Sequence, residues 1–464
     1  MIQISFGSYY LQQEEKRLDG MYYALALRVG WELEHSGWPL RPLGELVDFT
    51  YLGRFKRNYV DYRKGVPFLG SREIFFWPLN AEKFLHPDSV DNDLFVREKN
   101  VLLTCSGTVG HALLTGSSFR GKAISQHVMR LHPKDKDEVG YIYAFIRSRY
   151  GFTFMQGAQF GAVVKEIEPR QLAPLPVPML PAPLRKQIHL KMLRALTLRE
   201  RGACLLQKAQ RLLYDRLGLP DPNDLKPDYL SLPPGKKVRA FTVRASELKG
   251  RLDGSYHLSE VERVLRALKE GAHPFLLLRD LVEYVVIPPR FKRHYVDAKI
   301  GVPFVRPSDL AMTRILERRY IAKWTPELPQ LRLNKQEILV STDGSIGDLS
   351  YVTDAWDGWA GSNNIGRVKV DLAKAHPGYV LAFLFSPYGQ VQLKREIYGG
   401  VIDHLEVPHL EGIRIPLPPP EIQASIGERV LKAYILRDQA NALEEEAIAM
   451  LEQAIRRGSR PKLA

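Results

Sequence analysis

The sequence predicts an α+β protein made by internal duplication, with two compact mixed domains that are each followed by one long helix. Three observations predict it. Blocks of residues recur in the same order at a nearly constant offset, the segments holding them are broken often by Gly and Pro and carry short β-type runs, and proline clusters then open long stretches with helical apolar spacing.

The repeat is read directly. Arg17-Leu-Asp-Gly-Met-Tyr22 returns as Arg251-Leu-Asp-Gly-Ser-Tyr256, 234 residues later. Arg54-Phe-Lys-Arg-Asn-Tyr-Val-Asp61 returns as Arg290-Phe-Lys-Arg-His-Tyr-Val-Asp297, and Gly65-Val-Pro-Phe68 as Gly301-Val-Pro-Phe304, both at 236. Leu103-Thr-Cys-Ser-Gly-Thr-Val-Gly110 matches Val340-Ser-Thr-Asp-Gly-Ser-Ile-Gly347 at 237. Gly140-Tyr141, Tyr150-Gly151 and Pro178 match Gly378-Tyr379, Tyr388-Gly389 and Pro416 at 238. Chance composition does not order five blocks with so little drift.

Within each copy the first part reads as a compact α+β domain. Its β-type runs fall at 101–104, 127–131, 338–340 and 367–370, and short helices are expected at 141–149 and 379–385, each halted by a Tyr-Gly pair. The second part reads as a helix. After the prolines, Ile188, Met192, Ala195, Gly202, Leu206, Ala209, Leu213 and Leu217 keep a three-four spacing interrupted by Arg199. Their copies are Ile426, Val430, Ala433, Ala440, Glu444, Ala447, Leu451 and Ile455, interrupted by Arg437. Glu444 alone breaks the apolar match, and a flanking stripe of Leu198, Leu205 and Leu212 becomes Leu436, Leu443 and Met450. At a rise of ~1.5 Å per residue each helix is on the order of 50 Å long, more than one compact domain needs. A seam of that length packs on another long helix, and the interface residues expected are Ile188, Met192, Arg199, Leu206, Leu213, Ile426, Val430, Arg437 and Leu451.

The expected organisation is a leader over 1–37, a first mixed domain over 38–180 and a central helix over 181–217. A Pro-, Asp- and Gly-rich connector follows at 218–245, a helical start of the second repeat at 246–273, the second mixed domain at 274–418 and a C-terminal helix at 419–458.

Composition narrows the function. The start of the chain lacks a basic, then apolar signal pattern, and no apolar run approaches the ~20 residues of a membrane span, so a cytoplasmic protein without a membrane partner is expected. The two cysteines, Cys105 and Cys204, are too few for a disulfide framework or a cysteine zinc site. A net charge of +14 and a pI near 9.5 favour a phosphate backbone as partner, against the plainer alternative of a solvated basic surface.

Three blocks are candidates for nucleic-acid contact. Arg54, Lys56, Arg57 and Tyr59, with Arg290, Lys292, Arg293 and Tyr295, place three cations beside aromatics, where Arg can hold phosphate or read guanine. The alternative is a solvated loop with Phe55 and Phe291 tucked into cores. Ser106 and Thr108, and Ser345 beside Asp343, sit in glycine-bracketed loops that can approach phosphate or simply turn the chain. Gln126 and His127, after Ser125, face Asn363 and Asn364, after Ser362, at matched places; Gln and Asn can bond adenine, and different residues are what two different half-sites require. Their alternative is a polar cap on a strand.

Catalytic motifs are missing where they would have to stand. The segment 116–122 approaches a phosphate-binding loop, but Ala123 replaces the magnesium ligand and no long helix follows. None of the Pro-Pro pairs carries the Asp/Asn-Pro-Pro-aromatic pattern of an adenine methyltransferase, and His404 and His409 have no companion ligands. No catalytic residue, metal or cofactor is expected.

Two units of mixed domain, proline cluster and long helix resemble the specificity subunits of type I restriction-modification systems. The resemblance is carried by the two Gly-Val-Pro-Phe blocks, the loops Gly107-Thr-Val-Gly110 and Gly344-Ser-Ile-Gly347, and Ile415-Pro-Leu-Pro-Pro-Pro420 followed by Ile422-Gln423 and a heptad helix. It covers the chain from about Trp38 onward. It implies two target recognition domains that each read half of a split double-stranded DNA site, and two helices that pair as an antiparallel coiled coil, giving an internal pseudo-twofold duplication. It implies as partners N6-adenine DNA methyltransferase subunits and, in full restriction complexes, a restriction subunit. An RNA-binding or scaffold protein, or an enzyme with an unfamiliar site, are the competing readings.

Overall fold

The structure, a computed structural model, describes residues 22–458 apart from 63, 162, 222–241, 249, 255, 258 and 399–403. Most of the leader, most of the connector and the first Arg-Leu-Asp-Gly-Met block lie outside the described residues. The chain divides into two compact units, one holding the residues up to 200 together with those from 439, the other holding 201–438.

In the first unit the strands are β1 (Leu40–Pro42), β2 (Val47–Thr50), β3 (Tyr59–Val60), β4 (Val66–Leu69), β5 (Lys83–Leu85), β6 (Val101–Thr104), β7 (Ala112–Leu114), β8 (Ala123–Ile124), β9 (Val128–Pro133) and β10 (Pro176–Pro178). They form an antiparallel sheet β2-β9-β6-β7, a smaller sheet β3-β5-β4-β8 with β4 and β8 parallel, and the ribbon β1-β10. All four residues of β6 are buried, which is why its Val-Leu-Leu-Thr run shows no alternation. The helices are α1 (Arg28–Glu34), α2 (Val139–Arg147), α3 (Arg149–Ala158) and α4 (Ala182–Leu217).

The second unit repeats the design. Its strands are β11 (Phe275–Leu277), β12 (Val282–Val286), β13 (Gly301–Val305), β14 (Arg319–Ala322), β15 (Glu337–Ser341), β16 (Leu349–Tyr351), β17 (Ala360–Gly361), β18 (Ile365–Val370) and β19 (Arg414–Pro416). The sheet orders β12-β18-β15-β16 and β14-β13-β17 and the ribbon β11-β19 reproduce the first unit strand for strand. Even β3 has its copy, a single bridge from Tyr295 to Ile321 that matches Tyr59 opposite Leu85. Its helices are α5 (Ser259–Glu270), α6 (Pro377–Phe385), α7 (Pro387–Arg395) and α8 (Pro420–Gly458). The duplication read in the sequence is a duplication of folds.

One local expectation needs correction. The Tyr-Gly pairs do not halt the short helices; they lie in the first turn of a second helix, α3 or α7. The break is one serine earlier, where the Ser148 and Ser386 hydroxyls accept from the Gly151 and Gly389 N–H groups at 3.3 Å and cap the new helix. Glycine is required there because a Cβ would stand 2.4 Å from the Phe145 or Phe383 carbonyl oxygen.

The long helices pair antiparallel. In the first unit Ile188 and Met192 of α4 share one core with Ala447, Leu451 and Ile455 of α8, and Lys191 reaches Glu446 while Arg199 reaches Asn441 and Glu444. In the second unit Leu206, Leu213, Ile426 and Val430 are likewise buried. The seam residues are thus buried in each unit.

The two seam arginines are satisfied differently. Arg199, 6% exposed, donates to Glu444 Oε1 at 2.8 Å and Asn441 Oδ1 at 3.2 Å, and the same carboxylate, 1% exposed, accepts from Arg147 and from the Tyr143 hydroxyl. Glu444, the residue that broke the apolar pattern, is thus the counter-charge of two buried guanidiniums. Its repeat partner is the apolar Leu206. Arg437 bonds its neighbour Asp438 at 3.0 Å and the Ser350 hydroxyl at 3.3 Å, and lies over the rings of Tyr434 and Trp356 at 4.6 and 5.1 Å.

Candidate nucleic-acid interface

The Arg-Phe-Lys-Arg blocks follow β2 and β12 and run across the small sheet of each unit. Phe55 and Tyr59 meet Phe68 of β4 edge-on at 6.3 and 6.4 Å, and Phe291 and Tyr295 meet Phe304 of β13 at 6.2 and 6.1 Å. Each aromatic triad anchors its block. It leaves Arg54, Lys56, Arg290, Lys292 and Arg293 exposed, Arg57 half-buried, and Tyr59 and Tyr295 50% and 43% exposed. The sequence alternatives are not exclusive: the phenylalanines pack and the cations stay in solvent.

The polar tripeptides form a turn between β8 and β9, and between β17 and β18. The serine builds it. Ser125, 2% exposed, takes the His127 N–H on its hydroxyl at 3.2 Å, and Ser362, 1% exposed, takes that of Asn364 at 3.2 Å. The next two side chains in each turn, Gln126 with His127 and Asn363 with Asn364, are half-buried at the surface.

These blocks come together the same way twice. Arg57 Nη2 donates to Gln126 Oε1 at 2.7 Å and lies 3.5 Å from the Ser125 hydroxyl; Arg293 Nη2 donates to Asn363 Oδ1 at 3.2 Å and the Ser362 hydroxyl at 3.3 Å. The glycine loops join through backbone bonds, Cys105 N–H to His127 carbonyl at 3.0 Å and Thr342 N–H to Asn364 carbonyl at 3.1 Å. Gly107 and Gly344 take φ of 77° and 73°, so each loop needs glycine for its turn, and Thr108 and Ser345 follow directly on those glycines.

Three residues of this face carry no signal of their own as DNA contacts in the sequence. Glu166 bridges to Ser106, whose hydroxyl donates to Glu166 Oε1 at 3.3 Å. At the matched place His404 bridges to Asp343 and its ring Nδ1 pairs with the Asp343 carboxylate. As a metal ligand His404 stands without companions: among the described residues no group of three or more His, Cys, Asp or Glu stands where it can hold a metal. The third is Arg130 of β9, 1% exposed, which donates to the carbonyls of Ile124 and Val128 at 2.6 Å and of Ser125 and Leu94 at 3.2 Å. It clamps the backbone of the Ser125 turn with its charge, and burial pulls its pKa down to about 10. Its copy Arg367 instead donates to the Arg332 carbonyl.

Burial, then Arg57 and Arg54, push the His127 pKa below the ordinary histidine value against the pull of Glu166. His127 is therefore neutral at pH 7, with Nε2 accepting from the Gln126 amide at 3.2 Å. Burial pushes the Cys105 thiol up to about 12, which removes it as a nucleophile. The near-phosphate-loop at 116–122 is already filled by protein: Glu200 of α4 accepts from the Ser118 N–H at 2.8 Å and from the hydroxyls of Ser117 and Ser118. Among the described residues no helix is long and apolar enough to cross a membrane.

Comparison with known proteins identifies the scaffold. Residues 278–453 match the family model described as the type I restriction modification DNA specificity domain. No curated protein matches the chain. Among solved structures, the S subunit of a type I restriction-modification system from M. genitalium is similar over 92% of this chain and 97% of its own, at 12% identity and a TM-score of 0.35. The HsdS subunit from Thermoanaerobacter tengcongensis is similar over 90% of this chain and 97% of its own, at 13% identity and a TM-score of 0.27. The matched segment is the second repeat with most of its helix, and the first repeat copies it strand for strand. The second repeat with most of its helix is therefore similar to a type I restriction modification DNA specificity domain, and the first repeat copies the same fold.

Proposed function

We propose that the chain reads a bipartite double-stranded DNA site, one half with each repeat, and directs adenine methyltransferase subunits to it, with a restriction subunit joining in a full restriction complex. The observation that carries this reading is a constant frame with variable readers. The arginine, the aromatic triad, the serine turn and the glycine loop are the same in both repeats, whereas the side chains they present are Gln126 and His127 in one and Asn363 and Asn364 in the other. Constant cations hold phosphate in a fixed register, and changed amide and imidazole groups read different base edges. The methyltransferase would dock on the outer faces of α4 and α8, since their seam is internal.

The test uses the full-length chain and a pool of duplexes with randomised positions. Selection should return two short conserved elements separated by unread base pairs. Changing Gln126 and His127 to Asn should alter one element only. A pool that yields no consensus, or binding that single-stranded RNA competes away better than duplex, would replace this reading with the RNA-binding one.

A further inference from the structure

We propose that Glu166 and His404 are base-reading residues, one for each half-site, and that their different chemistry helps make the recognised sequence asymmetric. This rests on the DNA-reading function proposed above. The two residues occupy one structural position, 238 residues apart: each bridges to the residue just before the first glycine of its loop, and each lies next to a backbone bond that ties the same loop into the fold, Ile167 N–H to Cys105 carbonyl and Leu405 N–H to Thr342 carbonyl, both at 2.9 Å. Both side chains are half-buried, with one edge in solvent.

What differs is the polar group each position presents. In the first repeat Ser106 donates to one carboxylate oxygen of Glu166 and leaves the other as an acceptor, with His127 of the reading turn near enough to feel its charge. A carboxylate so held can take the exocyclic amino hydrogens of cytosine or adenine in a major groove. In the second repeat the Asp343 carboxylate takes the Nδ1–H of His404, which fixes the orientation of the ring and leaves the Nε2 edge to face a ligand. The ring thereby presents one directional nitrogen, Nε2, where the first repeat presents a carboxylate oxygen, so the two positions set different demands on the base edge opposite them. The glycine loop and the residue bridged to it therefore work as a socket whose frame is constant and whose interchangeable polar group is Glu166 or His404.

The experiment compares wild type, Glu166→Gln, His404→Gln and the reciprocal pair Ser106→Asp with Glu166→His, all as full-length protein, by selection from the same randomised duplex pool, with thermal melting as the folding control. Gln126→Ala serves as reference for the underlying reading. Glu166→Gln, which keeps the bond to Ser106, should relax one base pair of one half-site roughly tenfold or more and leave the other half untouched. His404→Gln should do the same in the opposite half, and the reciprocal pair should move the first half-site toward the base preferred by the second at that place. If Gln126→Ala shifts the consensus while all three variants keep it, or weaken all sequences equally, Glu166 and His404 do not read bases. If no consensus exists for wild type, the DNA-reading function itself falls.

Discussion

Arg130 shows how a single buried residue can hold a surface turn in shape. Its guanidinium replaces water for four carbonyls around the Ser125 turn, so removing it strands acceptors that each cost about 1–3 kcal/mol to leave unmade. Arg130→Met should lower the melting temperature in calorimetry and blur one half-site, whereas Arg367→Met, whose guanidinium grips no turn, should leave half-site preference intact. The exposed cations act differently. Replacing Arg54, Lys56 and Arg57 with Ala, or Arg290, Lys292 and Arg293, should flatten the plot of log K against log salt by up to ~0.9 for each phosphate no longer neutralised, and an unchanged slope would remove these cations from the DNA backbone. His127 gives a pH signature. Its folded pKa lies below the unfolded value of about 6.5, so its contribution is fully present above that value and is lost as pH falls through the folded pKa. His127→Gln should make stability less dependent on pH in denaturant titrations below about 6.5.

At the scale of elements, the decisive contact is the buried cluster of Arg199, Arg147 and Glu444. Glu444→Ala leaves two guanidiniums without a counter-charge and should cost about 3–5 kcal/mol in urea unfolding, and the double change with Arg199→Leu should cost less than the two single changes added together. This cluster also marks the limit of sequence reading. The seam was legible because apolar side chains repeat with the period of the helix, and the arginine interruptions were legible as anomalies. Which acid answers which arginine was not, because Glu444 meets Arg147 across 297 residues and no period records that. The Tyr-Gly misreading has a related cause: a serine that ends one helix and caps the next looks, in sequence, like part of either. The three candidate blocks stand out in the sequence because they recur, whereas Glu166 and His404 do not, because the repeat places unlike residues there. The signal available is the recurrence of Phe160-Gly161 as Tyr398-Gly399, at the same offset of 238 that relates Glu166 to His404.

For the molecule as a whole, the strand-for-strand repetition predicts modular specificity. Exchanging residues 40–178 for the matching segment of a relative should change one half of the methylated site, read by methylation mapping of cells carrying the assembled system, and leave the other half alone. A change in both halves would mean that the two repeats do not read independently.

The ribbons β1-β10 and β11-β19 have a meaning beyond folding. Leu40 lies opposite Pro178 and Phe275 opposite Pro416, so the chain enters and leaves each recognition domain at one spot. In the gene, this makes each mixed domain a cassette: two crossovers, at the codons of the paired strands, replace the whole domain and nothing that pairs the helices. Recombination between related genes at those codons would join a foreign domain to the resident helices in phase, with both ends of the insert already paired to each other.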